Sequence, residues 1–214
     1  MSAIDTHAPD AHSDAHAHEV PYEVQVRSNR LGLWLFCFSE IFLFGALFSA
    51  RFVLWGDTRP ELSQEVGLFA TSILLLSSYF MYRSETGAAY GDHARFLRSA
   101  LIAAGLGTLF FISVVVLEWN VFGLSGELFG IEIFGHLSPA DGVYGGVFFA
   151  MTGAHALHVL SGIFLILAVW WNGRKGRFSP EKHWGVEATA IYWHYIDVVW
   201  IFFYPALYLM GQPV

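Results

Sequence analysis

Positively charged residues are scarce in this chain of 214 residues, and cysteine is almost missing. Eleven Lys and Arg stand against eighteen Asp and Glu, and the net charge of −7 argues against nucleic acid as a partner. The single cysteine, Cys37, excludes disulfides within the chain and cysteine-rich metal sites. Only 14% of the residues are charged and 55% are hydrophobic, which is rare in soluble domains of this size. The composition therefore indicates an integral membrane protein.

Long apolar segments fill most of the chain beyond the first 28 residues. Each of the five is long enough, or nearly so, to cross about 30 Å of hydrocarbon as a helix: 31–55, 66–82, 99–119, 142–171 and 186–210. We predict an all-α, polytopic membrane bundle of five transmembrane helices over residues 29–214. Residues 1–28 are polar and rich in His, Asp and Ala, so we predict a disordered cytoplasmic tail there.

The few positive residues are unevenly divided between the connections. Nine of the eleven precede the first segment or lie between the second and third or the fourth and fifth: Arg27, Arg30, Arg83, Arg95, Arg98, Arg174, Lys175, Arg177 and Lys182. The connections of the opposite side contain only Arg51 and Arg59. Because Lys and Arg concentrate in short cytoplasmic loops, this bias predicts the N-terminus inside and the C-terminus outside.

Glu40 lies in the middle of the first apolar segment, within the stretch LFCFSEIFLF at 35–44. An ionisable side chain in hydrocarbon is costly unless it is neutral or partnered, so such a residue is a candidate functional site. Two interpretations stay open from the residues alone. Glu40 is either a carboxyl that handles protons or a neutral acid that is hydrogen-bonded to another helix.

Two histidines lie three residues apart in the fourth segment, in the stretch TGAHALHVLSG at 152–162. This spacing places His155 and His158 on one helix face. Such a pair could ligate a metal ion if further ligands came from elsewhere in the bundle. The alternative, which we favour, is that both are neutral imidazoles that bond to neighbouring helices.

The fifth segment combines ionisable and aromatic residues more densely than any other. Glu187, His194 and Asp197 would be left unpaired by contact with lipid, so the pattern is typical of a helix packed inside a complex. Trp193 and Trp200 lie on the same stripe as Asp197, and an aromatic stripe is usually a packing surface. The residues alone therefore predict a chain that binds other membrane subunits.

Two other function classes remain possible at this point. A freestanding metal- or haem-containing membrane enzyme would use His155, His158 and His194. A proton-coupled transporter would use Glu40. Neither has further support in the sequence, which contains no phosphate-binding glycine loop, no nucleophile with an adjacent base and no internal repeat.

Three polar stretches resemble the cytochrome c oxidase subunit III family, the third subunit of haem–copper terminal oxidases. They are SEIFLF at 39–44, TGAHALHV at 152–159, and HWGVE at 183–187 leading into YWHYIDVVW at 192–200. Glu118 and Trp119 match the family as well, whereas Val115 stands where relatives often have Gln. Many relatives have seven spans, and this chain resembles the five-span form that lacks the first two.

The resemblance implies a subunit without a catalytic centre, metal or redox cofactor of its own. It would pack against subunit I, which together with subunit II holds the haems and copper, and it would bind membrane phospholipid. Glu40 would be the functional carboxyl, matching a buried acid that reacts with carbodiimide and belongs to a subunit that sustains proton uptake. A structural polar network would comprise Glu118, His155, His158, Glu187, His194 and Asp197.

The implied complex is a respiratory oxidase that reduces O₂ to water and moves protons across a prokaryotic plasma (inner) membrane. The electron donor to the complex would be cytochrome c or quinol. Five-span members also include subunits of quinol oxidases and relatives associated with nitric-oxide reductases, so these identities remain alternatives.

Overall fold

Five long helices make up the bundle in the computed structural model, which describes residues 21–124, 126–128, 131–132 and 135–214. They are α1 (Tyr22–Trp55), α2 (Gln64–Ala89), α3 (His93–Ser113), α4 (Gly142–Arg174) and α5 (Trp184–Tyr204). Two π-helices extend them, Val114–Glu118 after α3 and Pro205–Leu209 after α5. The all-α prediction is confirmed.

Among the described residues, four two-residue strands lie outside the helices. β1 (Thr58–Arg59) follows α1 and pairs in parallel with β4 (Gln212–Pro213), so the connection between α1 and α2 is joined to the C-terminal segment. β2 (Glu127–Leu128) pairs antiparallel with β3 (Ile131–Glu132) between α3 and α4.

The helices extend beyond the predicted apolar segments, most of all at the start of α1. This helix begins at Tyr22, so residues 22–28 of the predicted tail are helical. Polarity did not predict this boundary. Arg30 bonds to Glu187, and Lys182 lies over the ring of Tyr22, and these contacts hold the polar start of α1 against the bundle. Residues 1–20 lie outside the described residues, and a disordered tail there stays a prediction.

Four helices of the described residues are long and apolar enough to cross a membrane: Tyr22–Trp55, Gln64–Ala89, His93–Glu118 and Gly142–Arg174. α5 is also a helix of the bundle, but it does not reach the same hydropathy. Its tryptophans, tyrosines, histidines and acids lower the mean. The structure therefore supports four of the five predicted spans, and a fifth span formed by α5 stays a prediction.

Consecutive helices run in opposite directions, as contacts at the two ends of the bundle show. Different helices meet through Arg30–Glu187 and Phe96–Gly173 at one end, and through Trp55–Tyr144 and Tyr208–Glu118 at the other. The first end contains the start of α1, the end of α2, the start of α3 and the end of α4. The nine basic residues of the predicted cytoplasmic side therefore lie together at that end.

α3, α4 and α5 pack closely around the fully buried ring of Trp193. A Cβ atom placed on Gly107 of α3 or on Gly162 of α4 would lie 2.6 Å from this ring. Small residues let helices approach closely in a membrane, and here they leave the space that the indole fills. α1 is peripheral. In its most apolar 18-residue stretch 11% is buried, against 39–44% in the corresponding stretches of α2, α3 and α4.

Candidate functional site

Glu40 on α1 meets His158 on α4. Its carboxyl oxygen Oε2 lies 3.2 Å from Nε2 of His158, and both side chains are nearly buried, at 17% and 18% exposure. The other ring nitrogen of His158, Nδ1, lies 2.7 Å from the carbonyl oxygen of Ala154 one turn earlier. The ring of Phe44 packs edge-on against the imidazole, 4.8 Å between centroids. The imidazole is therefore held between its own helix and the acid.

The hydrogen-bond partners of His158 determine how many protons the pair can hold. A carbonyl oxygen only accepts, so Nδ1 carries a hydrogen and donates it to Ala154. The contact between Nε2 and Glu40 then needs one further proton. That proton lies either on Glu40, as a neutral acid, or on His158, as an imidazolium beside a carboxylate. Both states have zero net charge, so the proton can move within the pair without leaving a net charge in the membrane.

A second polar contact lies beside this pair on α4 and α5. The hydroxyl of Ser161 donates to the carbonyl of His158 at 2.8 Å and lies 2.6 Å from the hydroxyl of Tyr192. Interhelical bonds of this kind stabilise membrane helices by about 0.6 kcal/mol on average. This contact fixes α5 against the stretch of α4 that carries His158.

His155 has a different environment although it lies one turn from His158. Its ring is buried at 1% exposure, stacks on Trp200 at 4.8 Å, and meets the edge of Phe110 at 5.9 Å. Neither ring nitrogen has a hydrogen-bond partner among the described residues. His158 faces α1 whereas His155 faces α3 and α5, so the two do not converge on one point. Within the described part of the chain, no cluster of three or more His, Cys, Asp or Glu is placed to hold a metal ion.

The three ionisable residues of α5 each have a separate environment. Glu187 accepts a hydrogen bond from Arg30 of α1 at 2.5 Å. His194 Nδ1 lies 2.7 Å from the hydroxyl of Ser78 on α2. Asp197 is buried, and neither of its oxygens has a hydrogen-bond partner among the described residues, although one lies 3.9 Å from His194 Nδ1. α5 is therefore tied to α1 at its start and to α2 near its middle.

Glu118 lies at the other end of the bundle, on the π-helix that follows α3. The hydroxyl of Tyr208, on the π-helix that follows α5, donates a hydrogen bond to its Oε2. Both side chains are buried. The predicted polar network is thus a set of separate interhelical pairs in the described residues, because helix packing brings each acid or imidazole to a different neighbour. His155 and Asp197 belong to none of these pairs.

Arg51 is a buried side chain whose structural contacts the sequence did not indicate. It is 1% exposed at the end of α1, where Nε donates to the carbonyl of Ala206 at 2.6 Å and Nη1 to that of Gly56 at 2.8 Å. Nη2 donates to the carbonyls of Met210 and Thr58. The guanidinium therefore ties α1 and the connection after it to the C-terminal segment.

The sequence also does not show which residues of other helices these side chains bond to. Arg30 was counted only as a basic residue of the inner side, and Ser78 and Tyr208 were not distinguished from other residues of their helices. Spacing along one helix shows which side chains share a face. It carries no signal for which other helix that face meets.

Comparisons with known proteins agree with the polar stretches described above. The model of the family described as "Cytochrome c oxidase subunit III" matches residues 10–212. The chain is 36% identical over 204 residues to the cytochrome c oxidase subunit 3 of Thermostichus vulcanus, with 92% of each chain covered. It is 31% identical over 196 residues to the protein of the same name from Dugong dugon, covering 86% of this chain and 70% of that one. The matched region includes α1 with Glu40, α4 with its two histidines and the polar α5, and the chain therefore belongs to the cytochrome c oxidase subunit III family.

Proposed function

We propose that this chain is the non-redox subunit III of a haem–copper terminal oxidase in a prokaryotic plasma membrane. Subunits I and II hold the haems and copper, and this chain stabilises subunit I and sustains its proton uptake. Membership of the family and the curated relatives named cytochrome c oxidase subunit 3 support the assignment to such a complex. Those names favour cytochrome c over quinol as the electron donor.

The Glu40–His158 pair is the observation that carries the proton-related part of this proposal. It is a nearly buried carboxyl beside an imidazole that already donates its other hydrogen to Ala154. Such a pair takes up or releases a proton only by changing its net charge. The number of protons that it holds therefore depends on the charges and water molecules of the neighbouring subunit. Glu40 is therefore our functional carboxyl, and Glu118, Glu187 and His194 hold helices together.

The membrane topology that we propose has five spans, with the N-terminus inside. Residues 184–209, which comprise α5 and its π-helix, are about 39 Å long at 1.5 Å per residue, enough to cross the hydrocarbon. Glu187 and His194 bond to Arg30 and Ser78, and Asp197 is buried, so none of the three faces lipid without a partner. The end of the bundle with nine basic residues is the cytoplasmic one.

Large apolar side chains stand exposed along the free face of α1, among them Trp34, Leu35, Phe38 and Phe42. Contiguous apolar surface of this kind marks contact with a membrane or with other subunits. We propose that phospholipid and the other oxidase subunits cover it in the complete complex.

Purification from native membranes in mild detergent tests this proposal. A tag on this chain should recover the haem–copper subunit and subunit II, and the complex should oxidise reduced cytochrome c with uptake of O₂. The haem absorbance should belong to the companions after the subunits are separated. Recovery of this chain alone, with a Soret band or stoichiometric metal, would contradict the proposal, as would Glu40-dependent solute uptake by proteoliposomes of the isolated chain.

A further inference from the structure

α1 is attached to the bundle by a narrow apolar stripe and by polar contacts at separate levels. Its buried residues, Cys37, Phe44, Arg51 and Trp55, are spaced by seven, seven and four positions and so form one narrow stripe. A Cβ atom placed on Gly45, close to the middle of the helix, would meet nothing within 4 Å. In hydrocarbon, an apolar helix surface gains little by exchanging lipid for another apolar helix. Apolar contact alone therefore holds this helix weakly.

Polar contacts join α1 to other parts of the chain at three levels. Arg30 bonds to Glu187 at one end of the bundle and Arg51 bonds to the C-terminal segment at the other. Glu40 lies between them, ten residues from Arg30 and eleven from Arg51, or about 15 and 17 Å along the axis. Among the described residues, Glu40–His158 is the one side-chain hydrogen bond that joins α1 to another helix between these two levels.

An apolar groove runs beside the Glu40 level, between α1 and α5. It has a volume of about 380 Å³ and is lined by Ile41, Phe44 and Phe48 from α1 and by Tyr195, Phe202 and Phe203 from α5, among others. The groove begins one residue beyond Glu40. A small outward movement of the middle of α1 would therefore widen it, while the two ends of the helix stay tied.

We propose that the Glu40–His158 hydrogen bond is a latch that holds the middle of α1 against the bundle and keeps this groove narrow. The latch is closed when one proton is shared by the pair. Loss of that proton leaves two acceptors, a carboxylate oxygen and Nε2, facing each other with no hydrogen between them. The helix then loses its central attachment and the groove opens towards the bilayer.

Other titratable groups surround the latch and belong to the same environment. Cys37 on α1 and Tyr192 and Tyr195 on α5 interact electrostatically with Glu40, and His155 on α4 interacts with His158. None of these forms the hydrogen bond between α1 and α4. The proton that Glu40 and His158 share therefore sets the state of the latch.

Cys37 offers a direct reporter of the latch, because it is the single cysteine of the chain, is 2% exposed, and lies one turn from Glu40. The whole complex in native membranes is treated with N-ethylmaleimide, and alkylation of this chain is followed by mass spectrometry. Glu40→Ala should raise the alkylation rate of Cys37 about tenfold. This is the change in the population of the open state that follows from losing one strong interhelical hydrogen bond. Glu40→Gln should leave the rate near that of the wild type, because its amide donates to Nε2 without a titratable proton.

Two controls separate release of α1 from general loosening. Ser39→Ala removes an adjacent hydroxyl that bonds only to Phe36 of its own helix, so Cys37 should stay protected. A second reporter, Ser77→Cys in a Cys37→Ser background, lies in the fully buried contact of α2 with α3 and should stay unreactive in the Glu40→Ala protein. Unchanged protection of Cys37 in Glu40→Ala overturns the latch, and so does equal exposure of both reporters. Neither result depends on which donor or companions the complex has.

Discussion

Trp193 on α5 and Glu40 on α1 hold their helices to the bundle in different ways. The indole of Trp193 fills the space left by Gly107 and Gly162, so three helices are fixed by shape. Its N–H has no hydrogen-bond partner in the described part of the chain. The carboxyl of Glu40 lies in a region where a glycine on α1, Gly45, has open space beside it. Attachment there combines a narrow apolar stripe with hydrogen bonds and ion pairs at separate levels.

This difference shows where rigidity and adjustability lie in the molecule. Close packing has few alternative arrangements, because any shift opens voids or produces clashes. A polar bond can be made or broken by one proton. The candidate functional carboxyl lies in the adjustable region, whereas the tightly packed helices provide a fixed support for it.

Arg51→Leu should break the attachment of α1 most severely. The substitution leaves the carbonyls of Ala206, Gly56 and Met210 without their donor, at about 1–3 kcal/mol for each buried group that stays unsatisfied. We expect the C-terminal strand to separate, so the amide hydrogens of Gln212 and Val214, which donate to Asp57 and Arg59, should exchange faster. Hydrogen–deuterium exchange with mass spectrometry measures this directly.

Arg51→Lys is the matched control for that substitution. It keeps the positive charge, but a lysine ammonium has three donors at one point and cannot reproduce the planar fork of the guanidinium. Exchange at the C-terminal strand should be intermediate. If Arg51→Leu left the exchange at wild-type rates, the guanidinium would not be what holds this segment.

Gly162→Ala should destabilise the tightly packed region while the same change at Gly45 should not. The added methyl at residue 162 lies 2.6 Å from a fully buried indole, and overpacking of this kind costs about 1–3 kcal/mol. At residue 45 there is open space, so the change should stay within about 0.5 kcal/mol. The thermal midpoint of the purified complex distinguishes the two variants.

Trp193→Phe sharpens this second test, because a smaller ring leaves room for the added methyl group. The double variant Gly162→Ala with Trp193→Phe should be more stable than the sum of the two single changes indicates. Equal midpoints for Gly162→Ala and Gly45→Ala would remove the distinction between the two regions.

Arg30→Gln should have a smaller effect than Arg51→Leu or Gly162→Ala. Its guanidinium is about half exposed at the end of the bundle and bonds to Glu187, and exposed ion pairs contribute about 0–1 kcal/mol. The loss should shrink further as salt is added, because exposed charges are screened. Thermal midpoints at low and high ionic strength check this, and a large effect that is independent of salt would show that the pair acts as a buried one.

The helices were predictable from the sequence because apolar composition is a local property. The early start of α1 was not, since residues 22–28 are polar and become helical on a bundle that only the tertiary structure supplies. Arg51 appeared in the sequence as an outer-side charge. Its burial depends on carbonyls from the C-terminal segment, where a π-helix begins at a proline that has no N–H of its own.

The candidate site was predictable in its residues and not in its pairs. Glu40 stood out because a carboxyl in an apolar segment is costly, but its partner His158 is 118 residues away. His155 and His158 looked equivalent, since helical spacing places them on one face. The structure separates them because α1 contacts only one side of that face, and aromatic rings from α3 and α5 cover the other.

Glu40→Gln in the complete oxidase gives the most direct test of the central claim, that this chain sustains the enzyme through a proton on Glu40. The amide keeps the hydrogen bond to His158 but has no proton to exchange. We predict an unchanged initial rate of O₂ consumption and an earlier loss of activity, counted in turnovers per complex. A Glu40→Gln oxidase that stays active for as many turnovers as the wild type would contradict the account.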